Sequence, residues 1–305
     1  MLEASTSFLL SERARTASAY VFLLVCAALG WVYLGFMVAD MVQIMDMGAM
    51  GPGMQIFNQF NVFAGLPEEV RLQLAALCLP QAASGFGMPA LLEPSLRDFA
   101  LILLMWLMMV LAMMLPTALP MLRAFESARD AGGMLQVAGG YLSAWAAFCL
   151  LASGGQYLLQ IAGALSPMMA PTLGVFAAST VVFAGIYQFT PLKQACLYRC
   201  RVPVVAKAAK AGTSQRSAFA FGVEQGIYCL GCCWALMALM FAVGVMNILW
   251  IALLGGVMAL EKTVGSRRLS YIIGVVLLAW GGAYLYFTSG DVQILSHLFS
   301  RIVAG

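Results

Sequence analysis

Apolar runs long enough to cross a bilayer recur along the chain, separated by shorter stretches that hold most of the charge. A helix needs roughly 20 apolar residues to cross, and the runs fall at about residues 17–39, 98–122, 138–163, 168–190, 219–243, 246–261 and 270–288. The run from Ala218 to Leu260 is too long for one span and offers only Gly244 and Asn247 as a turn, so the count is seven with a split there and six without one. The first run follows Arg13 and Arg15 as a signal sequence would, but its length of about 23 residues and lack of a clear cleavage site predict a retained anchor. The expected fold is all-α: a polytopic transmembrane helix bundle, with residues 1–305 forming one transmembrane domain.

Charge then orients the bundle. Lys and Arg are retained on the cytoplasmic side of short loops. Seven spans with the N-terminus inside place thirteen of the sixteen basic residues in the cytoplasm, leaving only Arg71, Arg97 and Arg301 outside. The segment from Asp40 to Arg97 becomes an external loop, in which PEEVRLQLAALCL from Pro67 to Leu79 has the acidic first turn and amphipathic look of a short surface helix.

Composition agrees with the pattern: 63% of residues are hydrophobic and 10% charged, against roughly 25% charged in a soluble domain. The net charge of +3 is small and the basic residues sit between apolar runs, which argues against a nucleic-acid surface. The unexpected feature is sulfur. A span can be built from Leu, Ile, Val and Ala, yet this chain has 21 Met and eight Cys. Scattered sulfur is core filler; clusters at ligand spacing carry more meaning.

Three such clusters stand out. EQGIYCLGCCW opens the fifth span and places Cys229, Cys232 and Cys233 at i, i+3 and i+4, with Met237 and Met240 continuing the face. YQFTPLKQACLYRCR follows the fourth span; Thr190 and Pro191 read as the N-cap and first residue of a new short helix, with Cys196 and Cys200 at i and i+4 among basic residues. MWLMMVLAMMLPTALPML in the second span carries Met105, Met109 and Met113 at four-residue spacing, with Pro116 and Pro120 freeing backbone carbonyls. Opposite span directions bring Met113 and Met114 to the membrane depth of the fifth-span cysteines. Thiolate suits Cu(I), Zn(II) or iron-sulfur clusters, while thioether strongly favours Cu(I), so the set points to Cu(I), with zinc as the alternative if only thiolates bind. Outside, MVQIMDMGAMGPGM offers Met41, Met45, Met47, Met50 and Met54, of which Met45, Met47, Met50 and Met54 are candidates for external metal capture. The same stretch also reads as an extension of the first helix with a Met stripe.

These segments resemble a bacterial family of predicted metal-binding integral membrane proteins. The resemblance runs from about Asp98 to Lys262 and rests on AMMLP at Ala112 to Pro116, YQFTPLKQACLYRC at Tyr187 to Cys200, and YCLGCCW at Tyr228 to Trp234 followed by Met246 and Asn247. It implies a multi-pass protein of the bacterial inner membrane with a metal site, and leaves metal and reaction open. Members of the family usually carry His before the Gly of the cysteine segment, where this chain has Gln225 before Gly226.

The single His, His297, lies near the C-terminus, so a His-based triad or a His-rich metal enzyme is excluded. Glu224 is the one acid near the cysteines; it reads as interfacial capping or as proton exchange. No nucleotide-binding loop or nucleophile elbow occurs in a suitable setting. The leading expectation is therefore a protein that handles Cu(I), by transport or by delivery to a membrane or periplasmic copper enzyme, and not a catalyst. Its partners would be the lipid bilayer and a copper enzyme, a soluble copper carrier or a larger membrane complex. Membrane thiol-disulfide exchange through Cys229 and Cys232, and an accessory subunit of a larger complex, are the competing readings.

Overall fold

The computed structural model describes residues 2–44, 46–61, 96–126, 131–166, 169–201, 215–264 and 266–303. The described elements are α1 (Leu2–Ile44), two 3-10 turns (Met47–Met50 and Met54–Phe60), α2 (Leu96–Glu126), α3 (Ala131–Ile161), α4 (Gly174–Tyr187), α5 (Pro191–Arg201), α6 (Gln215–Ala238), α7 (Met240–Val243), α8 (Ile248–Thr263) and α9 (Arg267–Val303). Among the described residues there is no strand, and the all-α expectation holds. The expected external helix at 67–79 lies outside the described residues, as does Met45.

Five stretches are long and apolar enough to cross a membrane: 17–42, 96–119, 133–161, 218–243 and 267–288. The fourth expected span is shorter than its apolar run. Only Gly174–Tyr187 forms α4, and the chain then turns by 66° into α5; by length and composition the pair is either a sixth, broken span or a re-entrant loop. The Thr190 hydroxyl accepts from the Lys193 backbone N–H at 3.3 Å and so starts α5 at Pro191, as its sequence predicts. The expected span at 246–261 needs correction. It is realised as α8, whose 16 residues rise about 24 Å, short of the roughly 30 Å hydrocarbon core. Length therefore supports five or six spans in place of seven.

The break before α8 is where the sequence offers it. The Asn247 side chain accepts from Trp250 N–H at 3.3 Å as the N-cap of α8 and donates to Pro52 O at 3.0 Å. Gly244 (φ 97°) and Gly51 (φ 124°) sit back to back: a Cβ on Gly244 would lie 2.1 Å from Met50 O, and one on Gly51 would lie 2.0 Å from Val243 O. Only glycine satisfies both the dihedrals and the approach. This junction seats the Met47–Phe60 segment on one end of the bundle, the distal end.

Close backbone approaches hold the bundle together. Gly222 and Gly226 on α6 face α3, where a Cβ would meet Val137 O at 2.1 Å and Tyr141 O at 2.8 Å, the small-residue packing that membrane helices use in place of a hydrophobic drive. The α1–α2 contact is equally tight at Gly30, where a Cβ would lie 2.6 Å from Met108 O. Pro116 has no N–H to offer the Ala112 carbonyl four residues back, and Trp31 Nε1 donates to that carbonyl instead at 3.0 Å. A proline in one span thereby becomes a tie between two. Outward-facing side chains such as Phe22, Phe36, Leu151, Ile272 and Val276 are exposed apolar groups, compatible with a multi-pass membrane protein.

Candidate metal centre

The glycine-mediated contact of α6 with α3 places Tyr141 against the first cysteine of α6: the Tyr141 hydroxyl lies 3.0 Å from Cys229 Sγ and also donates to Met114 O at 3.3 Å. Helical register then sets the neighbours. Cys232 Sγ donates to Cys229 O at 3.1 Å and lies 3.3 Å from Cys233 Sγ, and all three thiols are buried. From the bent span, α5 lays Cys200 over this face, so that the Sγ atoms of Cys200, Cys229 and Cys232 all lie within 4.8 Å of one another. Among the described residues this is the one trio of His, Cys, Asp or Glu found at ligand separation. Three sulfurs in a plane around a metal at about 2.3 Å lie about 4.0 Å apart, so the trio fits one ion after small side-chain rotations.

The sequence expectations separate here. Cys200, Cys229 and Cys232 come together, and Cys233 borders them. Cys196 stands apart from the trio, against α6 at Gly231, where a Cβ would lie 2.7 Å from its sulfur. Met114 Sδ lies 3.8 Å from Lys262 Nζ, which itself touches Cys229, whereas Met113 packs on Gly255 further up α8. Second-span sulfur thus reaches the fifth-span cysteines by way of Lys262, which contacts both Met114 Sδ and Cys229 Sγ. Met47, Met50 and Met54 are fully buried at the distal end, which by the rise through α6 and α7 to Gly244 is about 22 Å from Cys229. They are not solvent-facing side chains. Asp46 beside them is engaged locally: its Oδ1 accepts from Gly48 N–H at 2.9 Å and from Asn58 Nδ2 at 2.6 Å. Glu224 is exposed, with Tyr228 OH donating to its Oε1 at 3.0 Å and Arg199 Nη1 donating to Tyr228 OH at 2.8 Å, an arrangement at the rim. Gln225, at the position where the resembling family has His, is buried one turn before Cys229, and its Oε1 has no hydrogen-bond partner.

Lys262 and Glu261, with the partners each of them holds, escaped the sequence reading. Lys262, in the last turn of α8, donates to Cys229 Sγ at 3.0 Å and to Thr117 Oγ1 at 2.6 Å. An ammonium here is placed to compensate the negative charge that thiolates binding a metal would bring. Its neighbour Glu261 points the other way into a buried network: Lys193 Nζ donates to its two oxygens at 3.0 and 2.7 Å, and Ser270 Oγ donates to Oε1 at 2.7 Å. Gln188 Oε1 accepts from the same Lys193 amine, and Arg201 Nε donates to the Glu261 carbonyl at 2.8 Å. This network ties α5, and with it Cys200, to α8 and α9. The available signal was the Glu-Lys pair ending an apolar run, since ionisable residues in or beside spans are costly enough to need a role.

A family model described as PpoB2, copper chaperone, matches residues 103–284. The match takes in Cys200, Cys229, Cys232, Cys233, Met114, Tyr141 and Lys262, and leaves out α1 and the Met47–Phe60 segment. No curated protein and no solved structure matches the chain.

Proposed function

Since the chain belongs to the PpoB2 family of copper chaperones, we propose that it carries Cu(I) as cargo on Cys200, Cys229 and Cys232 and hands it to a copper enzyme or copper carrier at the bacterial inner membrane. The observation that carries this reading is the meeting of three thiols from two helices within 4.8 Å. Soft thiolates beside the Met114 thioether favour a monovalent soft ion over hard cations, and zinc is the alternative for the thiolates alone. Two or three thiolates around one Cu(I) leave net negative charge, which Lys262 offsets from 3.0 Å. Cys233 is the adjacent thiol through which an ion could be exchanged, since its sulfur is 3.3 Å from that of Cys232. We assign the N-terminus and the α5 end to the cytoplasm on the basic residues gathered beside them, Arg13 and Arg15 at the first and Arg199, Arg201, Lys207 and Lys210 at the second.

The test is metal analysis of protein purified anaerobically after growth with copper. About one copper per chain is expected, with loss of that copper when Cys200, Cys229 and Cys232 are all replaced by Ser. Zinc in place of copper would redirect the assignment to the alternative. Absence of both metals from the intact protein would leave an accessory subunit of a membrane complex as the better reading.

A further inference from the structure

Methionine is segregated in this molecule in a way that hydrophobicity does not explain. Of the described methionines, all but the half-buried Met108 are buried. Among the described residues the exposed large apolar side chains are Val, Leu, Ile, Phe and Tyr, with no Met. A thioether costs nothing at a lipid-facing position, and leucine in this chain occupies both settings: Leu34 and Leu122 are fully buried while Leu151 and Leu158 are exposed. Burial of nearly every described Met is therefore more selective than its apolar character alone requires, and it gathers the thioethers inside the bundle.

The buried thioethers are also graded along the bundle axis. At the distal end Met50 backs onto Gly244, and Met246 follows that turn in the same core. From Cys229, α6 and α7 carry Met237 and Met240 at about 12 and 17 Å towards that end. On α2, Met105 and Met109 share one buried face at i and i+4 and lie about 13 and 7 Å beyond the level of Met114. Successive sulfurs are thus separated along the axis by about one helical turn, and the series ends at the thiols. We propose that this interior is a route for Cu(I), in which the ion passes between neutral thioethers from the Met47–Phe60 end to the cysteine centre. Each thioether step is a ligand exchange at Cu(I), with no change of oxidation state and no proton transferred, and arrival at the centre releases to water the protons of the thiols that bind the ion. The proposal rests on the Cu(I) reading of the centre and adds the direction from which the cargo arrives.

The experiment uses the full chain in vesicles sorted so that the Met47–Phe60 segment faces outwards, with Cu(I) held in acetonitrile supplied only outside. Loading is followed by the ultraviolet absorbance of copper-thiolate bonds, and final occupancy is measured separately in detergent. Replacing Met109 and Met237 with Leu conserves volume and apolarity while removing two thioethers. We expect loading from outside to slow at least tenfold, unchanged final occupancy in detergent, and no effect from Met108→Leu. Loading of the double variant at the parent rate would overturn the route while leaving the centre intact. A parent protein that stays empty even in detergent would instead overturn the centre, and the route with it. Should the double variant fail to fold, selenomethionine-labelled protein with Cys200, Cys229 and Cys232 changed to Ser supplies a second readout. Selenium-edge absorption should then show copper as a neighbour of selenium in copper-treated protein, and absence of that signal overturns the route.

Discussion

Lys193 and Lys262 are brought to the same end of the bundle by adjacent residues of α8, yet they are held in opposite ways. Lys193 is fully buried and saturated: its amine meets both oxygens of Glu261, with the closer at 2.7 Å, and the side-chain oxygen of Gln188. Lys262 is half-buried and has no carboxylate partner among the described residues; it is held by a hydroxyl and by sulfur. The first lysine closes its charge within the protein and fixes a helix. The second leaves its charge directed at a place where negative charge is expected to collect. Lys193 stands in the first turn of α5 and Lys262 in the last turn of α8, and their partners set them further apart.

The comparison fails if the two lysines prove interchangeable. Breaking the closed pair has the largest expected effect. Lys193→Met strands a buried carboxylate and should cost about 3–5 kcal/mol, whereas changing Lys193 and Glu261 together to apolar residues should cost much less. Denaturant unfolding in detergent, read from the midpoint, checks the ordering. Equal loss in the single and double variants would remove the claim that the charge itself is the liability. Next in size is the thiol set. Cys229→Ser, at the sulfur that contacts both Tyr141 and Lys262, should weaken Cu(I) binding by roughly a hundredfold or about 2.8 kcal/mol. Cys196→Ser should leave it within about threefold, as read by chelator competition. Smallest is the open lysine: Lys262→Met should lower Cu(I) affinity about tenfold, or 1.4 kcal/mol, with the unfolding midpoint little changed, and Lys262→Arg should retain most of the affinity. A Lys262→Met protein that unfolds as readily as Lys193→Met would show that both lysines are structural.

Most of the fold could be read from the sequence because membrane burial writes itself as continuous apolarity. The long helices, the start of α5 at Pro191 and the turn at Gly244 to Asn247 follow from residue type alone. Span length was less legible. The run at 168–190 gives a helix of only 14 residues because it begins only at Gly174 and the chain bends at Gln188 to Thr190, and α8 ends where Glu261 and Lys262 find partners. At the centre, spacing identified Cys229 and Cys232, and helix direction matched Met114 to them. The i, i+4 spacing of Cys196 and Cys200 could not say which of the two would face the trio, since that depends on the 66° turn of α5 and its anchoring by Lys193. Lys262 counted only as a topological charge, because nothing local in the sequence aims its amine at Cys229. Met47, Met50 and Met54 read as a loop offering sulfur to solvent, but the paired approach of Gly51 and Gly244 folds that segment into the core.

X-ray absorption at the copper edge, on copper-loaded protein and on single serine variants, tests the central claim most directly. The account predicts Cu(I) with three sulfur neighbours at about 2.3 Å, falling to two in Cys200→Ser and staying at three in Cys196→Ser. Identical spectra for Cys196→Ser and Cys200→Ser, or copper bound by nitrogen and oxygen alone, would contradict it.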